Sequence, residues 1–485
     1  MKSHLVTGIM LLVVLGTQRV CAQEMNYNTL QVGSRSALMG GAVVAGVRDT
    51  SATFYNPGAL GFVENPSISV SANAFRLSKL SIEHAVGTSR DATTTQVEAI
   101  PLILSGMLRF HAAPQWAFGY AIVTRQQVAE NFTRALDTQR ETITFPGGAV
   151  FPGPADVLAQ VNVSSQVNEL WAMGAAAWRI NETLALGLAP IVAWHRETHL
   201  DRFSLHPIPL VAQGGPLLIG ENTTTDIDFY QFSVLARVGV AWEPSATFKL
   251  GATVTTPNLK IVGRGDAHAE VIFNSPTPNS DRFGSASQDG VATHYRTPLS
   301  VAVGAEIKPW SPVAVGIAVA YSTALGRHAL LDIQRGHPFF QGPGVIPGDA
   351  APFLTPLDVR RAVVNVSFGT EYLVNDTYAA YLGFWTDFSP LDRQQTRDIL
   401  SNARGLVLPT TDVDLYHVVF GAARTTTRSK IAAGVVLSHG TGTSQKGLEV
   451  TATGDILGLT PGSSLIERHV SFSSLSFVLG YTYFF

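Results

Sequence analysis

The chain ends on a segment with two unlike faces. From Leu475 onward the odd positions are Leu475, Phe477, Leu479, Tyr481, Tyr483 and Phe485, and Ser474, Ser476, Gly480 and Thr482 lie between them. Strand side chains alternate sides with a period of two, so one face here is greasy and the other small or polar. At the edge of a soluble sandwich such a surface is an aggregation hazard. It suits the closing strand of an outer-membrane β-barrel, whose outer face meets lipid. Tyr481, Tyr483 and the terminal Phe485 are then expected to form the signal read by barrel-assembly machinery.

Hydropathy points the same way. Mean hydropathy is +0.18 and only 14% of residues are charged. Yet beyond the amino terminus no stretch approaches the ~18 consecutive apolar residues of a spanning helix. A closed barrel is the other way to satisfy every backbone group in lipid. Lys2 and His4 precede an apolar run from Ile9 to Leu15, and Val20-Cys21-Ala22 supplies small residues before Gln23, which is the layout of a secretory signal over residues 1–22. Cys21 is the only cysteine, so a chain cleaved after Ala22 has no thiol or disulfide chemistry. The net charge of −3 comes with no basic run, which argues against a nucleic-acid partner.

Alternation recurs fourteen times, at about 66–76, 98–110, 114–125, 166–180, 183–197, 227–243, 246–258, 293–308, 312–324, 361–374, 377–388, 412–424, 429–439 and 470–485. The connections alternate as well. Short turns such as His111-Ala112-Ala113-Pro114, Asn181-Glu182 and Asn375-Asp376 are interleaved with long connections at 126–165, 198–226, 259–292, 325–360, 389–411 and 440–469. An even number of strands, short turns on one side and long loops on the other describe an all-β, 14-stranded antiparallel transmembrane barrel over residues 66–485, closed by one chain and acting as a monomer.

Residues 23–65 do not read as a strand. Gly33, Gly40, Gly41 and Gly46 interrupt a small-residue stretch, and Asn56-Pro57-Gly58 is a turn. This piece could lie in the lumen or hang outside it. Gly119, Gly187, Gly239, Gly251, Gly304, Gly316, Gly369 and Gly434 fall on the inward phase near the short turns, as does Gly480. Their missing side chains leave either a hollow or merely room for the strands to bend.

The run Gly33-Ser34-Arg35, Met39-Gly40-Gly41-Ala42, Asp49, Ser51-Ala52 and Phe54-Tyr55-Asn56-Pro57-Gly58-Ala59-Leu60 resembles the hatch of the FadL-type outer-membrane transporters of long-chain fatty acids and other hydrophobes, with weaker echoes in Arg296-Thr297-Pro298 and Gly369-Thr370-Glu371-Tyr372. The sequence departs from that pattern at Gly58, where the family usually has Ala, and at Arg48-Asp49-Thr50. The resemblance implies an amino-terminal hatch plugging the lumen, with Arg35, Gly40, Gly41, Asp49, Asn56, Pro57 and Gly58 as its motif residues. It also implies passive transport of a hydrophobic small molecule, without cofactor or metal, and a sideways opening at a kinked third strand, where Gly119 offers flexibility.

Phe145, Phe151, Phe339, Phe340 and Phe353 give the long loops apolar surface for ligand capture, or for packing against one another. Pro190 removes a ladder hydrogen bond and marks a bulge or gap in the fifth strand. The lumenal charges Arg237, Lys249, Glu306 and Glu371 bind a carboxylate head group or pair with the hatch, where Arg35 and Asp49 are natural partners. His195 and His199, in His-Arg-Glu-Thr-His, miss the metalloprotease order and read as solvated surface histidines. No motif assembles the Ser, His and orienting group of an outer-membrane phospholipase, so the chain does not read as an enzyme. The alternative function is a barrel of the same fold that serves protein secretion or assembly in contact with outer-membrane lipid.

Overall fold

In a computed structural model, the protein is described over residues 26–86, 90–144, 150–209, 220–274, 282–337, 340–341, 349–401, 406–408, 411–444, 449–450, 456–457 and 467–485. Fourteen antiparallel strands form the barrel: β1 Ser67–Val86, β2 Arg90–Arg109, β3 Trp116–Thr144, β4 Val150–Arg179, β5 Leu184–Pro209, β6 Gly220–Ser245, β7 Phe248–Thr255, β8 Ser300–Trp310, β9 Val313–Ser322, β10 Val363–Leu373, β11 Tyr378–Asp387, β12 Thr411–Thr425, β13 Ser429–Ser444 and β14 Arg468–Phe484. Pairing from Ser67↔Phe484 to Ile82↔Val470 joins β14 to β1 and closes the ring. The amide of Phe485 then donates to the carbonyl of Pro66.

The outer face follows the period of two. Ile122, Leu188, Val238, Val303, Ile317, Leu382, Leu437 and Leu479 are exposed on it. Trp116, Trp178, Trp242, Phe248, Trp310, Tyr372, Tyr378 and Tyr483 ring the short-turn end, and Tyr230, Tyr321 and Tyr416 lie further along their strands. Aromatic girdles flanking an apolar band are the mark of a membrane barrel. Among the described residues no helix is long and apolar enough to cross a membrane.

Several expected loops are strand instead. β3 and β4 stay paired out to Thr144↔Val150, and β5 and β6 extend to Pro209 and Gly220. Within the expected 259–292 loop, Leu259–Asn274 continues past β7, pairs with the outer half of β6, and turns back as Arg282–Ala292. The described parts of the connections 325–360 and 389–408 fold over the mouth as a cap. Strands Leu325–Ala329 and Leu357–Arg360 pair, and helices α1 Ala351–Leu354 and α2 Arg393–Ser401 lie beside them. Leu331, Leu354 and Leu408 of the cap pack on Ile227, Phe229 and Ala267 of the wall, burying apolar surface that solvated loops would leave wet.

Pro190 causes no bulge. Met173↔Ile191 and Ala176↔Leu188 keep one register, so β4 loses two pairings beside Pro190 while β6 stays paired throughout. A missing N–H costs a hydrogen bond without requiring an extra residue.

Candidate functional site

Residues 26–63, most of them buried, lie inside the barrel. The wall admits them because a belt of its inward positions there is glycine. Gly187 faces Gly239, Gly251 faces Gly304, Gly316 faces Gly369 and Gly421 faces Gly434 across their ladders. A Cβ built on Gly316 would lie 2.1 Å from the carbonyl oxygen of Ala42, and one on Gly187 2.3 Å from the carbonyl carbon of Pro57. Backbone therefore rests on backbone, closer than any side chain allows.

Three anchors hold the segment. Asn56 is fully buried, and its amide donates to the carbonyls of Val44 (2.8 Å) and of Val240 on β6 (2.9 Å). Its Oδ1 accepts from the Gly58 amide (3.1 Å), capping the 3-10 turn Pro57–Phe62. At the other end of that turn Arg109 of β2 donates to the carbonyls of Leu60, Gly61 and Val63. Arg35 is the third. Its guanidinium donates to Glu371 (2.9 Å), Glu306 (3.0 Å) and the Gly46 carbonyl (2.8 Å). Burial opposes the charge of Arg35, but Glu371 and Glu306 outweigh it and hold its pKa well above the ordinary value.

The other motif residues serve the turns. Gly40 and Gly41 have φ of 61° and 75°, the left-handed region that side chains avoid, and carry the chain past Phe384 and Trp385. Asp49 bonds within the segment, to the amides of Arg35 and Ser51 and to the Ser51 hydroxyl, and makes no ion pair among the described residues. Upstream, Asn28 and Thr29 donate to the carboxylate of Asp387 and Asn26 to its carbonyl. Tyr27 accepts from Arg360 of the cap (3.3 Å). Asp387 and Arg109 had no sequence signal, because each acts across hundreds of residues or on carbonyls alone.

The lumenal charges sort unevenly. Glu306 and Glu371 meet Arg35, whereas Lys249 pairs with Glu243 of the wall at 2.6 Å. Among the described residues Arg237 has no carboxylate within ion-pair distance. It donates to the Thr255 hydroxyl (2.8 Å) and lies 4.7 Å from the Phe54 ring and 5.5 Å from Trp171. Of the loop aromatics, Phe145 and Phe339 lie outside the described residues. Phe151 is on β4, Phe340 pairs with Gly284, and Phe353 packs into the cap. His195 and His199 are buried rather than solvated, because β5 runs on to Pro209 and turns both inward. His195 stacks on Tyr295 (3.6 Å) between Glu169 and Glu197.

One break in the wall stands out. β2 and β3 pair over seven residues only, Ile103↔Val123 to Arg109↔Ala117. Beyond that β2 pairs with β1 alone and β3 with β4 alone, and β3 has a register shift at Thr124/Gln126, around Arg125. Seven residues rise about 23 Å along a strand, and a tilt of about 40° brings that to under 20 Å of an apolar band about 25 Å tall. The ladder is therefore shorter than such a band is tall. Just inside, Ile100, Leu102, Ile103, Val123, Trp171 and Phe54 form one apolar cluster with Met173, Ile191 and Leu235.

The sequence matches no protein-family model and no curated protein. Among solved structures it is similar to a Pseudomonas aeruginosa FadL homologue at 11% identity and a TM-score of 0.58, covering 95% of this chain and 100% of that one. The fold is FadL-type. The Pseudomonas putida toluene transporter TodX (13% identity, 96% and 99% covered, TM-score 0.51) and the Ralstonia pickettii toluene transporter TbuX (14%, 95% and 100%, 0.50) are also similar. At these identities the likeness is one of architecture. Within the FadL-type fold, Gly58 departs from Ala for a steric reason here, since its Cβ would sit 2.7 Å from the Gly239 carbonyl oxygen.

Proposed function

We propose that this chain is a monomeric outer-membrane conduit for hydrophobic molecules, delivered to that membrane by barrel-assembly machinery and surrounded there by outer-membrane lipid. Its cargo passes between the lumen and the bilayer through the break between β2 and β3. The observation that carries this reading is the β2–β3 ladder ending at Ile103↔Val123 beside an apolar lumenal cluster. Straight passage is disfavoured, because segment 26–63 rests backbone to backbone on the wall. A sideways route needs no such displacement.

Energy arguments fit a passive route. Burying a chain of about sixteen carbons is worth about 13 kcal/mol gross at about 0.8 kcal/mol per CH₂, and association and ordering costs reduce the net to micromolar strength. Such cargo binds and leaves again. Long-chain fatty acids and aromatic hydrocarbons both meet this description, and the fold neighbours include toluene transporters.

The test is uptake by cells lacking their own hydrophobe transporters, with and without this chain, using radiolabelled fatty acid and toluene. Saturable uptake of either, unaffected by dissipating the proton gradient, is expected. Uptake equal to that of cells without the chain contradicts the proposal.

A further inference from the structure

His195 stands at the joint between the wall and the cap. It is buried on the inner face of β5, its Nδ1 3.7 Å from Glu169 of β4 and its Nε2 3.5 Å from Glu197 of its own strand. Its ring stacks on Tyr295, and the Tyr295 hydroxyl donates to Glu169 (3.0 Å). Tyr295 ties this group to the cap. It packs with Leu330, Leu331 and Leu354, the adjoining His294 amide donates to the Leu330 carbonyl (2.7 Å), and Arg360 lies 5.6 Å from its ring.

The charge balance of the joint depends on one proton. A protonated His195 places one positive charge between two carboxylates, which favour that form. Glu169 keeps other support when the imidazole is neutral, since it accepts from the Trp171 indole (2.6 Å) and feels the charge of Arg125. Glu197 has His195 as its only ion-pair partner among the described residues. The remaining neighbours do not replace the imidazolium: β6 presents the Phe229 ring, His199 follows two residues on, and Arg360 is paired with Asp358 (2.9 Å) and bonded to Tyr27. Loss of the proton therefore leaves Glu197 as a buried charge without a counter-charge, which is destabilising.

We propose that His195 is a pH-sensitive latch whose protonated ring holds Tyr295, and with it the cap, closed over the mouth. A proton held by two anions in the closed form stabilises that form below the imidazolium's pKa, and the stabilisation is lost as pH rises through it. The cap thus lifts on the alkaline side. Release of one proton raises the open-to-closed ratio by at most about tenfold per pH unit. The latch governs access to the lumen from outside, whichever cargo the barrel carries.

The test is the distance between nitroxide labels on the cap and the wall, measured by electron–electron double resonance at pH 6 and pH 9. The labels sit at Gly326→Cys, where a side chain meets nothing within 4 Å, and at Arg202→Cys on the exposed face of β5, in the full chain with Cys21→Ala in detergent. With His195 intact, one short distance at pH 6 is expected to give way to a longer one, the open-to-closed ratio rising at least about tenfold by pH 9. His195→Gln is expected to show the same ratio at both pH values. Glu197→Gln keeps the ring and removes the stranded charge, so its cap is expected to stay closed at both. An unchanged ratio in the protein with His195 intact overturns the latch. So does a His195→Gln or Glu197→Gln protein that opens at pH 9 as that protein does.

Discussion

The guanidinium of Arg35 and the carboxylate of Glu371 lie 2.8 Å apart inside the barrel, joining a residue near the start of the lumenal segment to one on β10. The same guanidinium reaches Glu306 on β8. Arg35→Met leaves two buried carboxylates facing an apolar side chain, a loss of about 3–5 kcal/mol when one partner of a buried pair is removed. The segment is expected to become protease-sensitive while the barrel stays heat-resistant in detergent. Adding Glu306→Gln and Glu371→Gln is expected to restore part of the protection, and protease mapping by mass spectrometry reads both.

The glycine belt makes a steric prediction. Gly316→Ala places a Cβ 2.1 Å from the Ala42 oxygen, whereas Gly174→Ala meets nothing within 4 Å. Gly316→Ala is expected to lift the segment off β9, and amide exchange over residues 39–46 to speed by tenfold or more, about 1.4 kcal/mol. Gly174→Ala leaves exchange unchanged.

Asn56→Ala strands the carbonyls of Val44 and Val240 and the Gly58 amide, at about 1–3 kcal/mol. The barrel is expected to assemble normally and uptake to change. Loss of the folded barrel from the membrane contradicts this, and heat-modifiable migration on a gel checks it.

Pro190 interrupts pairing to β4 without opening the register. Pro190→Ala returns an N–H to the ladder and is expected to leave uptake rates within error of the wild type. A fall in uptake would move the opening to the β4–β5 seam.

The fourteen strands were legible because each must show lipid an apolar face, a constraint repeated along Val364, Val366 and Phe368 or Phe477, Leu479 and Tyr481. The glycine set was legible for the same reason, since period two assigns Gly187 and Gly316 inward. Strand ends were not. Above the membrane both faces of β3–β6 meet water or the cap, so His195 and His199 carried no lipid signal and their inward phase went unread. The family resemblance pointed to the third strand, but at Gly119, which stays paired on both sides; the ladder end at Ile103↔Val123 could not be read from the residues, because pairing partners, unlike faces, are not written into one strand. Pro101 in β2 was its nearest trace, opposite the register shift between Ser71 and Ala72. Arg35 was recognisable as a charge in need of a partner, but the choice of Glu306 and Glu371 depends on how the segment folds back.

The central claim is that cargo passes between β2 and β3. The chain's single cysteine, Cys21, precedes the described residues, so cysteines placed at Ala99 on β2 and Gln127 on β3, on the two lips of the break, can be bridged by a short bis-maleimide in a background with Cys21 replaced by Ala. Uptake of labelled dodecanoate is the measurement. The account expects bridging to abolish the saturable component while each single-cysteine protein treated alike keeps it. Undiminished uptake by the bridged barrel would contradict it.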